Sequence, residues 1–145
     1  LITVEPYNAA CCYESLHNGQ PTAIKGNLDS LMGGLACGEM SSLAWDILKP
    51  GAHAAIKIAD ESAVEAMRRL ACKNGQDPPI VAGESGVAGL AGFLAVARDT
   101  ESRQRLDITE SSRIVIFGTE GATDRDTYKE IVGLYPEEVY VDERN

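Results

Sequence analysis

Aromatic side chains are scarce: they make up 6% of the 145 residues, with two phenylalanines and one tryptophan. That scarcity argues against an aromatic-rich β-sandwich. Long basic runs are missing as well. Arg68-Arg69 is the longest, and the formal net charge is −9, so the chain suits neither nucleic acid nor an anionic membrane surface. No apolar run approaches the roughly 20 residues that cross a bilayer. No leader of basic, apolar and then small residues opens the chain. Histidine is limited to His17 and His53. The four cysteines, Cys11, Cys12, Cys37 and Cys72, contain no C-x-x-C pair and make a poor metal clamp. They read as reduced thiols serving as small buried hydrophobes in a cytoplasmic protein.

What is present is alanine and glycine. Hydrophobic residues reach 44%, and 14 positions are glycine. Small side chains in that number favour close layer-on-layer packing. "LITVEP" (Leu1–Pro6) reads as a strand that starts without a lead-in, as if cut from a longer chain. A short helix over Ala9–Leu16 is ended by Asn18-Gly19. Thr22–Glu39, with four glycines and no period, reads as a long ordered loop. A serine-capped helix spans Ser41–Gly51, and a strand follows over Ala52–Asp60. The clearest helical period lies in Asp60–Gly75, where Ala63, Ala66, Met67, Leu70 and Ala71 share a face and Gly75 offers a C′ residue. "PPIVAGES" (Pro78–Ser85) predicts a strand. Gly86–Asp99 predicts a helix with a buried stripe of Val87, Leu90, Ala91 and Leu94. Thr100–Ser112 is polar and partly helical. "RIVIFGTEGATD" (Arg113–Asp124) predicts a second strand-to-turn unit, then a helix over Asp124–Leu134 and a frayed end over Glu137–Asn145.

Strands alternating with helices predict an α/β fold, a three-layer αβα arrangement with a parallel sheet. Ligands of such sheets bind beyond the carboxyl ends of the strands. Both glycine-bracketed turns, Gly83–Gly86 and Gly118–Gly121, fall at such ends. Known loops do not account for them. Gly86, Gly89 and Gly92 are spaced wrongly for a dinucleotide fingerprint, "GESGV" lacks the final glycine of a nucleophile elbow, and no Gly-Lys-Ser/Thr is present. Gly89 and Gly92 serve close helix packing on this reading. Ser85 suits a helix cap, and Glu84 suits a partner for the helix dipole.

Four pieces in order resemble the fold type II pyridoxal-phosphate enzymes, the tryptophan-synthase-β group. They are "VEPYNAACCYES" (Val4–Ser15), "GNLDSLMGGLACGE" (Gly26–Glu39), "DPPIVAGESGVAGLAGFL" (Asp77–Leu94) and "RIVIFGTEGATD". The resemblance covers almost the whole of residues 1–145. It implies the C-terminal part of that family's large domain. The Schiff-base lysine, the phosphate loop and the small domain of the family lie upstream of such a segment, so no catalytic residue is expected in this chain. Five lysines are present: Lys25, Lys49, Lys57, Lys73 and Lys129. Lys57 instead reads as the polar position of a strand.

The resemblance also implies roles. Thr119 matches the hydroxyl that faces the pyridine nitrogen of pyridoxal phosphate. Glu84 matches a glutamate near the ring, Ser85 a weaker neighbour, and Asp29 and Ser30 a loop bordering the cofactor. Glu120 and Asp124 read as surface or capping groups. Some family members bind a divalent cation through a Glu, a carbonyl four residues on and an acid six residues on. Here those places hold Glu5, Ala9 and Cys11, and a thiol is a poor ligand for a hard cation, so no metal is expected. The implied reaction is α,β-elimination of ammonia from a small amino acid, 2,3-diaminopropionate, by a homodimer or other homo-oligomer, with no membrane or nucleic-acid partner. A serine or threonine dehydratase and a non-catalytic α/β binding module are the alternatives.

Overall fold

A computed structural model describes residues 1–140. The chain divides into two compact units, Leu1–Asp60 and a second that begins at Glu61.

The first unit is built on two parallel strands, β1 (Ile2–Pro6) and β2 (Ala54–Ile58), in register from Ile2 opposite Ala54 to Pro6 opposite Ile58. A parallel pair needs a crossover, and here helices α1 (Cys11–Asn18) and α2 (Ser42–Gly51) lie within it. The predicted helix over Ala9–Leu16 begins as a 3-10 turn at Tyr7–Ala9 and continues as α1 until Gly19 takes a left-handed φ of 69°. No side chain at Ala10 can cap α1. Glu5, at the end of β1, does so from outside: its carboxylate accepts from the Cys12 N–H at 2.8 Å and the Tyr13 N–H at 2.7 Å. Two of the four orphan amides of the helix are thereby satisfied. The Glu5 carboxylate is thus spent on backbone. Burial pushes the Glu5 carboxyl up, and these two amides oppose it. Burial and the nearby Glu5 also push the Cys11 thiol up to about 11.

Ser15 is fully buried and donates to the Cys11 carbonyl at 2.6 Å, while its oxygen accepts from the Thr22 N–H at 2.8 Å. One hydroxyl therefore ties α1 to the start of the loop. Thr22–Glu39 is that loop, with a single 3-10 turn at Gly33–Leu35. Ser41 caps α2 by accepting from the Ala44 N–H. Lys57 on β2 pairs with Glu14 at 3.1 Å and lies over the Tyr13 ring.

In the second unit, α3 (Asp60–Ala71, its first residue belonging to the first unit) buries Ala63, Ala66 and Met67, while Leu70 and Ala71 are half-buried. It stops before Gly75, whose φ of 64° serves a separate turn closed by the Asn74–Asp77 bridge. Helix α4 (Ala88–Arg98) buries Val87, Ala88, Ala91, Gly92 and Val96; Leu90 and Leu94 are only half-buried. Its N-cap is Val87 and receives no side-chain cap, which corrects the reading of Ser85 as the capping residue. Glu65 joins α3 to Arg98 of α4; that contact and Arg69 hold its carboxyl down to about 2. The pair is exposed, so water screens most of its value. Two further helices follow, α5 (Thr100–Arg105) and α6 (Arg125–Val132). Asp124 caps α6 by accepting from Asp126 and Thr127, as expected of a capping group.

The predicted strands at Pro78–Ser85 and Arg113–Phe117 do not form ladders here. The hydrogen-bonded sheet of the described residues has two strands. The reason is pairing rather than propensity: a strand needs neighbours for its amides, and among the described residues no backbone–backbone hydrogen bond holds Arg113–Phe117. Val115 and Phe117 are 79% and 80% exposed. Part of the predicted frayed end, residues 141–145, lies outside the described residues.

Two outcomes are expected. Because the folded Glu5 carboxyl binds its proton more readily than an unfolded one, Glu5 contributes stability that falls as pH rises from about 4 upward. In denaturant titrations, the wild type should lose stability over that range relative to Glu5→Gln; an opposite slope would show that the two amides outweigh burial. Tyr128 is fully buried and its hydroxyl has no partner among the described residues. Tyr128→Phe should therefore be neutral or raise stability by about 1 kcal/mol, and a loss of that size would show a hidden partner.

Candidate cofactor site

The two glycine turns come together in the second unit. The Gly83 N–H donates to the Glu120 carbonyl at 3.1 Å. A Cβ on Gly83 would stand 2.3 Å from the Gly121 oxygen, and one on Gly86 would stand 2.4 Å from the Glu120 oxygen. Main chain thus meets main chain at a distance that excludes any side chain. At Gly89 a Cβ would meet the Ile116 side chain at 2.8 Å, so α4 also packs closely on the Arg113–Phe117 segment.

Beside this junction is a cavity of about 510 Å³, within the range of small-molecule sites. Leu70, Ile80, Val87, Leu90 and Ile116 supply apolar wall, and Gly86, Gly118 and Gly121 supply bare backbone. Its polar side chains are those of Thr119 and Glu120. Thr119 is exposed, and its hydroxyl makes no hydrogen bond among the described residues. Glu84 is half-buried, stands in the Gly83–Gly86 turn, and likewise has no partner among the described residues. Ser85, the third predicted group of this unit, is engaged, and its carbonyl accepts from the Ala88 N–H.

Asp29 and Ser30 lie in the first unit. The Asp29 N–H donates to Asn27, and its carbonyl accepts from Asn8 at 2.8 Å. The Ser30 hydroxyl donates to Asp60 at 2.6 Å and accepts from the Met32 N–H at 3.1 Å. The other Asp60 oxygen accepts from the Leu31 N–H at 2.8 Å. These groups hold the loop to the end of β2, and the Ser30 hydroxyl is occupied in doing so. Among the described residues, no group of three or more His, Cys, Asp or Glu side chains is placed to hold a metal ion.

Glu120, expected as a surface or capping group, instead forms part of the cavity wall, and its Oε2 is buried without a partner among the described residues. The signal available in sequence was its place directly after Thr119 in the turn. An apolar slot edged by glycine backbone, with one free hydroxyl and one orphaned carboxylate oxygen, fits a flat heteroaromatic ring better than a metal or a sugar. The donor set therefore fits pyridoxal phosphate. None of the lysines lines the cavity.

Residues 1–119 match the family model described as "Pyridoxal-phosphate dependent enzyme", and the chain belongs to that family. Its relatives are more specific. Diaminopropionate ammonia-lyase of Escherichia coli (strain K12) is 38% identical over 135 residues, which cover 90% of this chain and 34% of the relative. The crystal structure of the E. coli enzyme in complex with an aminoacrylate-PLP azomethine reaction intermediate superposes with a TM-score of 0.78 at 36% identity, covering 90% of this chain and 33% of that one. Its complex with D-serine gives 0.79 at 35% identity, with the same coverage. The chain spans about a third of the length of these relatives. Membership of this family agrees with the α/β reading and its parallel strands. Among the described residues, no helix is long and apolar enough to cross a membrane.

The geometry ranks glycine substitutions. Gly83→Ala and Gly86→Ala push against rigid backbone and should each cost about 1–3 kcal/mol or more. Gly89→Ala meets only a side chain that can turn, and should cost less. Equal losses at all three positions, measured by chemical denaturation, would show that the two turns are not locked together.

Proposed function

We propose that this chain is the C-terminal part of a pyridoxal-phosphate-dependent ammonia-lyase whose substrate is 2,3-diaminopropionate. With one water, that substrate gives pyruvate and two ammonia. The observation that carries the reading is the unspent Thr119 hydroxyl at the mouth of the cavity, on a chain that matches diaminopropionate ammonia-lyase over nine-tenths of its length.

When bound, pyridoxal phosphate supplies the electron sink that makes the substrate α-hydrogen acidic. The residues here would hold it rather than react with it. The Thr119 hydroxyl would be the group that meets the ring nitrogen. A neutral hydroxyl, unlike a carboxylate, leaves that nitrogen free of a fixed positive charge. The bare backbone at Gly86, Gly118 and Gly121 would let a flat ring approach closely. Glu84, without a partner among the described residues, would help orient ring and substrate from the Gly83–Gly86 turn, and Ser85 would be its weaker neighbour. Asp29 and Ser30 hold their own loop in the first unit. The lysine that carries the cofactor and the base that takes the α-hydrogen belong to the upstream part of the protein, so the 145-residue chain by itself is inactive. Exposed Val115 and Phe117 support assembly with further protein, in a homodimer or other homo-oligomer. The free cysteines support a cytoplasmic setting.

The test is made in the longer polypeptide that carries this chain. Purified with pyridoxal phosphate, it should show cofactor absorbance and release pyruvate from 2,3-diaminopropionate faster than from serine. Thr119→Val should lower activity about tenfold or more through loss of the ring-nitrogen contact and shift the absorbance maximum. Activity on serine or threonine alone would replace this reading with a dehydratase, and absence of cofactor absorbance would end it.

A further inference from the structure

Ile80, Val81 and Ala82 form one wall of the cavity and belong to no ladder among the described residues. Pro78 and Pro79 precede them and bring no amide donors. Three contacts from separate elements hold this segment instead. The Ile80 N–H donates to the Leu70 carbonyl at 2.7 Å, and the Gly83 N–H donates to the Glu120 carbonyl at 3.1 Å. The Val81 N–H donates to the Tyr140 hydroxyl at 3.3 Å. The first two contacts join main chain to main chain. The third is made by a side chain, so one phenolic oxygen stands where a neighbouring strand would offer a carbonyl.

The turn that carries Tyr140 is fastened before it reaches Val81. The Glu138 carboxylate accepts from the Tyr135 N–H at 2.7 Å, and the Glu138 N–H donates to the Tyr135 carbonyl at 2.9 Å. Lys129 of α6 lies over the Tyr135 ring at 3.9 Å, and Arg125 of α6 pairs with Glu137. Val139 is buried, with 4% exposure. Tyr140 itself does not line the cavity. A loose wall would have to be ordered when a ligand enters, and that ordering subtracts from affinity. A wall already held removes this cost.

Resting on the function proposed above, we propose that Tyr140 is a positioning residue of the cofactor site. Its hydroxyl acts through the Val81 amide. It fixes the spacing between residues 80–82 and the 118–121 turn that carries Thr119. The 135–140 turn thereby contributes to the binding of pyridoxal phosphate from outside the cavity.

The experiment uses Tyr140→Phe in the longer polypeptide, which keeps the ring and removes the acceptor. Tyr140 is 47% exposed, so the loss of one hydroxyl leaves the packing intact. Amide hydrogen exchange at Ile80, Val81 and Gly83 is read in the cofactor-free protein, beside the dissociation constant of pyridoxal phosphate. Exchange at Val81 should quicken about fivefold or more while Ile80 and Gly83 keep their wild-type rates, and cofactor affinity should fall by a similar factor. Equal quickening at all three amides marks a general loss of stability and overturns the proposal. Faster exchange at Val81 with unchanged cofactor affinity overturns it too, because the contact is then only structural. So does an unchanged Val81 rate. A wild-type polypeptide that takes up no pyridoxal phosphate overturns the function itself and this proposal with it, a result seen before any variant is made.

Discussion

The second unit depends on one contact, backbone against backbone, between the Gly83–Gly86 turn and Glu120–Gly121. Two chain segments separated by more than thirty residues approach until a single methyl group would force them apart. Protein interiors do not absorb such intrusions cheaply. The closeness has chemical consequences. It sets the two free functional groups, Thr119 and Glu84, on turns that are locked to each other. It also holds Glu120 with one carboxylate oxygen out of reach of water. Glycine at these positions is thus less about turn conformation than about clearance. Neither Gly83 nor Gly86 has a positive φ.

The first unit turns on a comparable economy of groups. Glu5 ends β1 and at the same time starts α1, because its carboxylate takes the first amides that the helix cannot satisfy for itself. Burial raises the carboxyl and the amides lower it, and burial has the larger effect. Ser15 and Asp60 do similar work for the loop between α1 and α2, the first holding Thr22 and the second holding Ser30 and Leu31. A loop with little regular structure can be ordered this way, with side-chain oxygens replacing the missing ladder.

Several elements were legible from the residues because their signals are local. The Ser41 cap with its following helix, the apolar face Ala63–Ala66–Met67, the Asp124 cap and the β-branched run of β1 all appear where their patterns place them. Gly75 was misread because the helical period of α3 gives out at Ala71, before the glycine that was to end it. Ser85 does not cap α4, because two more residues of turn, Gly86 and Val87, precede the helix. The strands at Pro78–Ser85 and Arg113–Phe117 were over-read: their β-branched content is real, but ladder formation belongs to a pair of segments and not to one. Glu120 was undervalued because nothing in a run of six letters shows which way a carboxylate will face.

Composition and order by themselves determined the α/β class, the acid-rich surface, the want of basic and bilayer-length segments, and the two glycine turns with their hydroxyl and acid. These follow from chain-local chemistry: period, caps, turn residues and charge. Only the tertiary structure decided which polar groups are free and which are spent. Ser30 and Glu5 carry the same functional groups as Thr119 and Glu84, yet their oxygens are taken by Asp60 and by the amides of α1. A hydrogen bond between residues far apart in the chain is a property of where the fold puts them, and no spacing in the sequence records it.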